Sequence, residues 1–169
     1  AFLAAETALD KIGPHNRAAW ESAQALVDAT LLLAAGKNGF VDSTGASRNL
    51  ADFDVVWYHQ GDSIAHTALF SGPGLSAIRG FAEKGGGVLL SGGALAMFAQ
   101  LGLESEIRAQ RREVENFRDP AAMVLVERSH PVFAGLREED GLVWLSRGGC
   151  PAVADFYWGG PSEGMLLGN

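Results

Sequence analysis

The sequence has one cysteine among its 169 residues, and this scarcity excludes two kinds of stabilising crosslink. Cys150 has no second cysteine with which to form a disulfide within the chain, and a zinc cage made only of thiolates needs several cysteines. A single cysteine does not reveal the redox compartment. The sequence therefore leaves the localisation of the protein open.

Long apolar runs and a surplus of basic residues are also missing. The longest strictly apolar runs, such as Leu31–Ala35, fall far short of the roughly 20 residues that span a bilayer, so we expect no membrane insertion. Lys and Arg total 13 against 20 Asp and Glu, a net charge of −7 that disfavours nucleic acid as a partner. The basic segment Arg108–Arg118 contains interleaved glutamates, which favours a solvated helix or ribbon face. No Gly-Lys-Ser/Thr phosphate loop occurs, and we predict no cofactor.

The composition that remains is typical of a folded globular protein. Hydrophobic residues make up 47% of the chain and charged residues 20%. Residues 1–169 contain no repeat, low-complexity segment or long linker, so we predict a single domain. The first residue is alanine, without a basic leader, and we expect the chain to be a processed or excised piece of a longer protein.

The first third of the chain predicts a short apolar segment, a helix, a strand and an irregular crossover, in that order. Ala1–Ala5 is a short apolar segment, interpreted as an edge of the core, and Asn16 is placed to cap a helix from about Arg17. Thr30–Leu33 favours a buried strand, and Lys37–Asn49 an irregular crossover. The buried stripe of the helix is predicted from helical spacing to be Ala19, Trp20, Ala23, Leu26 and Val27.

The middle of the chain alternates strands with helices. Asp52–His59 is β-branched and aromatic, which predicts a buried parallel strand. A loop at Ser71–Gly74 opens a helix that Gly85–Gly87 closes, and Val88–Ser91 predicts a second buried strand. This alternation indicates a parallel sheet covered on both faces. The remaining predicted elements are a helix with Leu95, Phe98, Ala99 and Leu101 on its inner side, and short strands at Ala122–Glu127, Leu142–Ser146, Val153–Tyr157 and Met165–Leu167.

Four segments in this order resemble the class I glutamine-amidotransferase-like superfamily, with its ThuA-like and DUF4960-like branch as the nearest likeness. They are the strand Asp54–His59, the helix ending in Glu83–Gly87, the strand Val88–Gly92 and the segment Ser129–Leu136. The resemblance covers roughly Phe53–Leu136. It implies a flavodoxin-like three-layer α/β/α sandwich with a mainly parallel sheet. We expect a C-terminal part that is rich in short strands and truncated.

The same resemblance implies that the glutaminase chemistry is missing. Active members carry a cysteine at a tight strand-to-helix elbow, and the matching segment Ser91–Leu95 places Gly93 at that position. Cys150 lies in a turn signal, and the late His-x-Glu pair of the family is not found. A hydrolase based on Ser91 would need a base, which must come from the histidines of the chain, His15, His59, His66 and His130.

Polar residues just past the carboxyl end of the Asp52–His59 strand form the predicted site. Ligands of open α/β sheets bind in the crevice at that edge. A metal interpretation would use His59, Asp62 and His66, but their spacing is not a recognised ligand pattern, and we predict no metal. Trp57 and Tyr58 alternate faces, so at most one of them can reach a ligand. The predicted ligand-binding residues are His59, Asp62, Ser63, Ser91, Gly92 and Gly93, and no catalytic residue is assigned outside an alternative that uses His59 and Asp62.

Three functions follow from these observations. The first is a non-catalytic, amidotransferase-like accessory or ligand-binding domain. Its carbohydrate ligand and carbohydrate-related host protein are implied by the resemblance, since domains of the ThuA-like and DUF4960-like branch are often found with carbohydrate-utilisation proteins. The alternative is a hydrolase or isomerase acting on a sugar derivative, with His59 as acid or base and Asp62 orienting it. The third is a structural or assembly domain that contacts a neighbouring domain or a second copy of itself through exposed late aromatics such as Trp158.

Overall fold

The computed structural model describes residues 1–35, 39–61, 70–107, 109–113, 121–146, 153–157, 164–165 and 167. Internal contacts divide the chain into two compact units, Ala1–Gln110 and Arg111–Asn169. The first unit contains the predicted alternation of strands and helices. None of the helices in the described ranges is long and apolar enough to cross a membrane.

The first unit is built on a six-stranded, mostly parallel sheet. Its strand order is β4-β3-β2-β1-β5-β6, in which β2, β1, β5 and β6 run parallel, while β3 pairs antiparallel with β2 on one side and with β4 on the other. The parallel strands follow the order typical of flavodoxin-like folds, so the observed α/β architecture is consistent with that fold. The strands are β1 (Phe2–Ala4), β2 (Leu31–Ala35), β3 (Gly39–Val41), β4 (Ser47–Arg48), β5 (Val55–Gln60) and β6 (Gly87–Gly92).

Two sequence predictions about this sheet are wrong. Ala1–Ala5 does not form an edge, because β1 pairs with both β2 and β5 and all three of its side chains are buried. A strand that is apolar at every position is typical of the middle of a parallel sheet. Lys37–Asn49 is not an irregular crossover throughout, because it contains the β3–β4 hairpin. The predicted strands Asp52–His59 and Thr30–Leu33 are confirmed in outline as β5 and β2.

Helix α1 (Pro14–Leu26) begins before the predicted start at Arg17. Its N-cap is Gly13, and proline at the first position suits a helix start because it lacks the N–H that would be left without a partner there. Asn16 is therefore inside the first turn and is not the cap. Leu26 and Val27 do not belong to the buried stripe, since the helix ends there and they are 78% and 64% exposed.

Helix α2 (Gly72–Glu83) confirms the predicted helix and its glycine ending. Ile78 and Phe81 face the core. Gly85 adopts a left-handed φ of 87°, and its N–H donates to the carbonyl of Ala82, which closes the helix. The chain then follows β6 into a 3-10 turn and the short helix α3 (Met97–Gln100). The fully buried residues of this segment are Ala94, Ala96 and Met97 instead of the predicted Leu95, Phe98 and Ala99, because a 3-10 turn changes the helical period, whereas the predicted Leu101 does pack against the core.

The apolar side chains of the sheet pack into two separate clusters. Leu3, Leu32 and Tyr58 belong to the cluster that contains Ile78 and Phe81 of α2. The second cluster contains Ala23 of α1, with Ala19 and Trp20 packed against it, and its strand residues are Phe2, Ala4, Leu31 and Leu33. Alternate residues of β1 thus contribute to different clusters, as expected for a strand with side chains on both faces.

The second unit contains short strands. Strand β8 (Ala121–Met123) pairs antiparallel with β9 (Val143–Ser146), and β7 (Ala109–Glu113), which begins in the first unit, pairs with β10 (Val153–Tyr157). These strands confirm most of the short-strand pattern, although β8 ends before the predicted Glu127. The carbonyl of Leu167 accepts from the N–H groups of Val126 and Glu127. Part of the basic segment is β7, and its remaining residues lie outside the described ranges.

Asp42 organises the turn between β3 and β4 in the first unit. One of its carboxylate oxygens accepts from the Thr44 hydroxyl at 2.6 Å and from the N–H groups of Thr44 and Ala46. The other accepts from Nε of Arg48 at 2.7 Å. The hydrogen bond from the Thr44 hydroxyl has the largest effect on the pKa of Asp42, and the bond from Arg48 has the next largest. Together they hold that pKa well below its usual range. The hairpin therefore depends on an ionised carboxylate.

We expect Asp42→Asn to lower the Tm and to flatten its dependence on acid pH. The pKa of Asp42 in the folded state is lower than the value of about 3.9 in an unfolded chain, so its stabilisation is complete above that pH. It is lost as the pH falls through the folded-state pKa. Tm measured from about pH 7 down to about pH 2 tests this sign. Asp28→Asn, at an exposed position, is the control, and equal acid dependence in the two variants would contradict the prediction.

Candidate functional site

The strand order puts the switch point of the sheet, where a crevice is expected, between the carboxyl ends of β1 and β5. The chain leaves β1 for β2 on one side and later enters β5 on the other, so the connections diverge at this point. Ligands of open α/β sheets bind at such a switch point. Glu6 follows β1, and His59, Gln60 and Gly61 end β5 at this edge. The sequence placed the site at the end of the same strand.

The carboxyl ends of β5 and β6 bring His59 and Ser91 together. The two residues are direct partners in the parallel pairing, and Nδ1 of His59 lies 2.9 Å from Oγ of Ser91. Nε1 of Trp57 donates to the same Ser91 oxygen at 2.8 Å. All three side chains are half-buried, and Trp57 packs edge-on against Phe2 with a centroid distance of 5.3 Å. The result is a hydrogen-bonded chain from indole to hydroxyl to imidazole.

The chemistry of this chain depends on the tautomer of His59. An indole N–H can only donate, so Ser91 Oγ is an acceptor toward Trp57 and keeps its own proton to give. When Nδ1 of His59 is unprotonated, it is the acceptor for that proton. A hydroxyl bonded to an imidazole is the arrangement of a nucleophile beside its general base. The same contacts can also orient both side chains toward a ligand.

Asn16 ties the start of α1 to the ends of β1 and β5. It is 2% exposed, its Oδ1 accepts from the N–H of Gly61 at 2.8 Å, and its Nδ2 donates to Oε1 of Glu6 at 3.3 Å. The other Glu6 oxygen is buried and accepts no hydrogen bond within the described part of the chain. Sequence reasoning missed both residues as site components. The signal of a polar residue at a helix start was present, but it was interpreted as a cap.

Gly61 lies in a narrow space between two histidines. A Cβ atom at this position would be 2.5 Å from Cβ of His15 and 2.7 Å from Nε2 of His59. Real Cβ atoms do not make such short contacts, so glycine is required for the observed position of the His59 ring. The crevice thus contains His15 of α1 as well as His59 of β5.

Tyr58 and Gln60 lie on the opposite face of β5 from Trp57 and His59. Tyr58 is in the core, with its ring tilted against that of Phe70 at a centroid distance of 4.7 Å, and Gln60 is also buried. Burial raises the pKa of Tyr58 above its usual range, so the phenol keeps its proton. The prediction that Trp57 and Tyr58 face opposite sides is confirmed, and Trp57 is the one that contacts the candidate site.

The turn after β6 is made by two glycines. Gly92 ends the strand with φ 61° and ψ −141°, a conformation open to glycine and costly for other residues. Gly93 is buried at the start of the 3-10 turn. The sharp turn therefore falls at Gly92, one residue before the position matched to the amidotransferase nucleophile. Neither residue carries a side chain, and the nearest hydroxyl along the chain is that of Ser91.

The remaining predicted site residues lie outside the described residues. These are Asp62, Ser63 and His66, so the structure brings together only His59, Ser91, Gly92 and Gly93 from the predicted set. Within the described ranges, no group of three His, Cys, Asp or Glu side chains is arranged to hold a metal ion. Trp158, which the assembly hypothesis used, is also outside them.

A concave region lies at the other end of the parallel strands. It is a cleft of about 520 Å³ beside α2. Asp54, which precedes β5, and Lys84, which follows α2, contribute its charged groups, while Phe53 and Phe81 contribute apolar surface. Ligands of this fold class bind at the carboxyl edge, so the crevice near His59 is the better candidate site.

Comparison with protein-family models, with curated proteins and with solved structures finds no match to this chain.

Proposed function

We propose that this chain is an amidotransferase-like domain that binds a small polar ligand in the crevice at the carboxyl ends of β1, β5 and β6. The observation that carries the proposal is the position of Glu6, Asn16, His59 and Ser91 at the switch point of the sheet. In this proposal, α1 and α2 are outer layers of a flavodoxin-like three-layer sandwich. The separate apolar clusters on α1 and α2 support that arrangement.

The ligand class follows from the groups that line the crevice. The half-buried imidazole of His59 and hydroxyl of Ser91 offer hydrogen-bond donors and acceptors, which suit a ligand rich in hydroxyl groups. The resemblance to carbohydrate-associated domains points to the same class, and we therefore propose a carbohydrate. An accessory role without glutamine hydrolysis is proposed because Gly92 and Gly93 provide no nucleophile at the turn.

A second candidate function is a hydrolase acting on a sugar derivative. The specific observation that favours it is the 2.9 Å contact between His59 and Ser91, because the sequence had left a Ser91-based hydrolase without an assigned base. Here His59 has the role of acid or base. Asp62, the proposed orienting residue, remains part of this candidate on the sequence alone.

We expect a carbohydrate to raise the Tm of the chain and His59→Ala to abolish that increase. A ligand that binds only the native state stabilises it by about 2.7 kcal/mol at a concentration of about 100 times Kd. A thermal-shift screen with monosaccharides, oligosaccharides, glutamine, phosphate and divalent metals measures this. His130→Ala, an exposed histidine of the second unit, is the matched control and should respond as the unmodified chain does.

The outcomes separate the candidate functions. A sugar-specific increase that His59→Ala removes supports the crevice as the binding site and justifies assays for turnover. A cooperative melt that no compound shifts contradicts ligand binding and favours the assembly hypothesis. An increase that persists in His59→Ala places the ligand elsewhere, and the cleft beside Asp54 and Lys84 would be examined next.

A further inference from the structure

We infer that Ser91 is a nucleophile, activated by His59, that cleaves carboxylic esters of hydroxyl-rich compounds. The inference deepens the second candidate function and rests on the proposal that the crevice binds such compounds. It assigns a chemical role to Ser91. Sequence reasoning considered this residue only as a ligand contact, or as the nucleophile of a hydrolase for which no base was assigned.

The first support is the set of contacts around the Ser91 hydroxyl. Its oxygen is 2.9 Å from Nδ1 of His59 and accepts from Nε1 of Trp57 at 2.8 Å. The imidazole can accept the hydroxyl proton, and the indole N–H holds the oxygen in place beside it. An adjacent base is the group that activates a serine hydroxyl.

The second support is how these side chains are mounted. Trp57 and His59 lie on one strand, and His59 is paired directly with Ser91 on the next, so the separation of base and hydroxyl is fixed by the sheet. Sites on regular elements hold their geometry more closely than sites on loops. Gly92 and Gly93 follow Ser91, and they have no side chains that could block approach to the hydroxyl.

The reaction proceeds in two steps, acylation of Ser91 and hydrolysis of the acyl group. Ser91 Oγ attacks the ester carbonyl carbon while its proton passes to Nδ1 of His59. The bond between that carbon and the alcohol oxygen breaks, and His59 gives the proton to the departing alkoxide. A water molecule then attacks the carbonyl carbon of acyl-Ser91 while one of its protons passes to His59, the bond between that carbon and Oγ of Ser91 breaks, His59 returns the proton to Oγ, and the carboxylic acid is released.

Esters are the acyl compounds that fit this pair of residues. An alkoxide departs with less protonation than an amine, so a serine and a histidine suffice more readily for an ester than for an amide. The alcohol part follows from the proposed function, in which the same edge of the sheet binds a hydroxyl-rich compound. The substrate class is therefore an acylated sugar or similar polyol.

The test uses the full chain with a fluorophosphonate, which replaces its fluoride by a serine oxygen, and with p-nitrophenyl acetate as an ester. We expect mass spectrometry of peptides to place the phosphonyl group on Ser91. His59→Ala should slow labelling and ester cleavage by about 100-fold or more, the range for loss of a general base. Ser76→Ala, at an exposed serine of α2, should leave both rates unchanged.

A further variant keeps the test decisive if His59→Ala does not fold. Trp57→Phe keeps an aromatic ring against Phe2 and removes the indole donor, so labelling at Ser91 should slow by about tenfold or more. A folded chain that is not labelled at Ser91, or a labelling rate unaffected by His59→Ala, overturns the inference. If carbohydrates raise the Tm of the unmodified chain in either case, ligand binding stands and only the role of Ser91 as a nucleophile is wrong. If they do not, both proposals fail.

Discussion

Asn16→Leu should lower the free energy of unfolding of the first unit by about 2–4 kcal/mol, since it removes two hydrogen bonds from a buried position. The N–H of Gly61 loses its acceptor, and Oε1 of Glu6 loses its donor. A buried N–H without a partner costs about 1–3 kcal/mol, and a carboxylate costs more. Leucine has nearly the same size but supplies neither group.

Urea unfolding monitored by circular dichroism measures this loss. The matched control is Glu21→Leu, the same new residue at an exposed position of the same helix, for which a change within about 0.5 kcal/mol is expected. Asn16→Leu should also weaken the carbohydrate response, because the ends of β1 and β5 are no longer tied to α1. Equal stability of the two variants would show that Asn16 does not hold the switch point together.

The middle of the first unit could be predicted from the sequence because each of its strands and helices has a local sequence pattern. β5 is a β-branched and aromatic run, and α2 has helical spacing of Ile78 and Phe81 with glycines after its last turn. Each of these patterns is read over a few residues. Elements of this kind also fix where polar residues emerge from the sheet, so the edge at His59 could be located.

The position of β1 could not be predicted in the same way. Three apolar residues are compatible with an edge or with the centre of a sheet, and only the pairing with β2 and β5 decides between them. The hairpin of β3 and β4 was hidden for a related reason. Its turn is rich in small polar residues typical of loops, and its strands are only 3 and 2 residues long.

Some residues of the candidate site could be predicted from local sequence patterns, but the contacts between them could not. His59 and Ser91 could be proposed because each lies at the end of a recognisable strand, but their contact required knowledge that β5 and β6 are neighbours in register. Asn16 gave a false local signal. Its bonds to Gly61, 45 residues away, and to Glu6 are tertiary, and no spacing rule reveals them.

Gly61→Ala should disable the site with a smaller effect on the fold. The added methyl group would lie 2.5 Å from Cβ of His15 and 2.7 Å from Nε2 of His59. Cβ of His15 is held by the backbone of α1, whereas the His59 ring is the end of a side chain and can rotate away. We expect that rotation to break the contact with Ser91 Oγ. Displacing a reactive group by about 1 Å can reduce a rate about 100-fold, which is the expected loss of labelling at Ser91.

The stability cost of Gly61→Ala separates this explanation from general unfolding. Overpacking of this kind costs about 1–3 kcal/mol, so the variant should still melt cooperatively at a lower Tm. Gly80→Ala is the matched control, because a Cβ there meets no atom within 4 Å and the position is inside α2. It should raise stability by about 0.5–1 kcal/mol through helix propensity and leave the carbohydrate response and labelling intact. A folded Gly61→Ala chain that keeps the carbohydrate response and the labelling at Ser91 would contradict this prediction. It would mean that Gly61 does not constrain the His59 ring and that other contacts hold the ring beside Ser91.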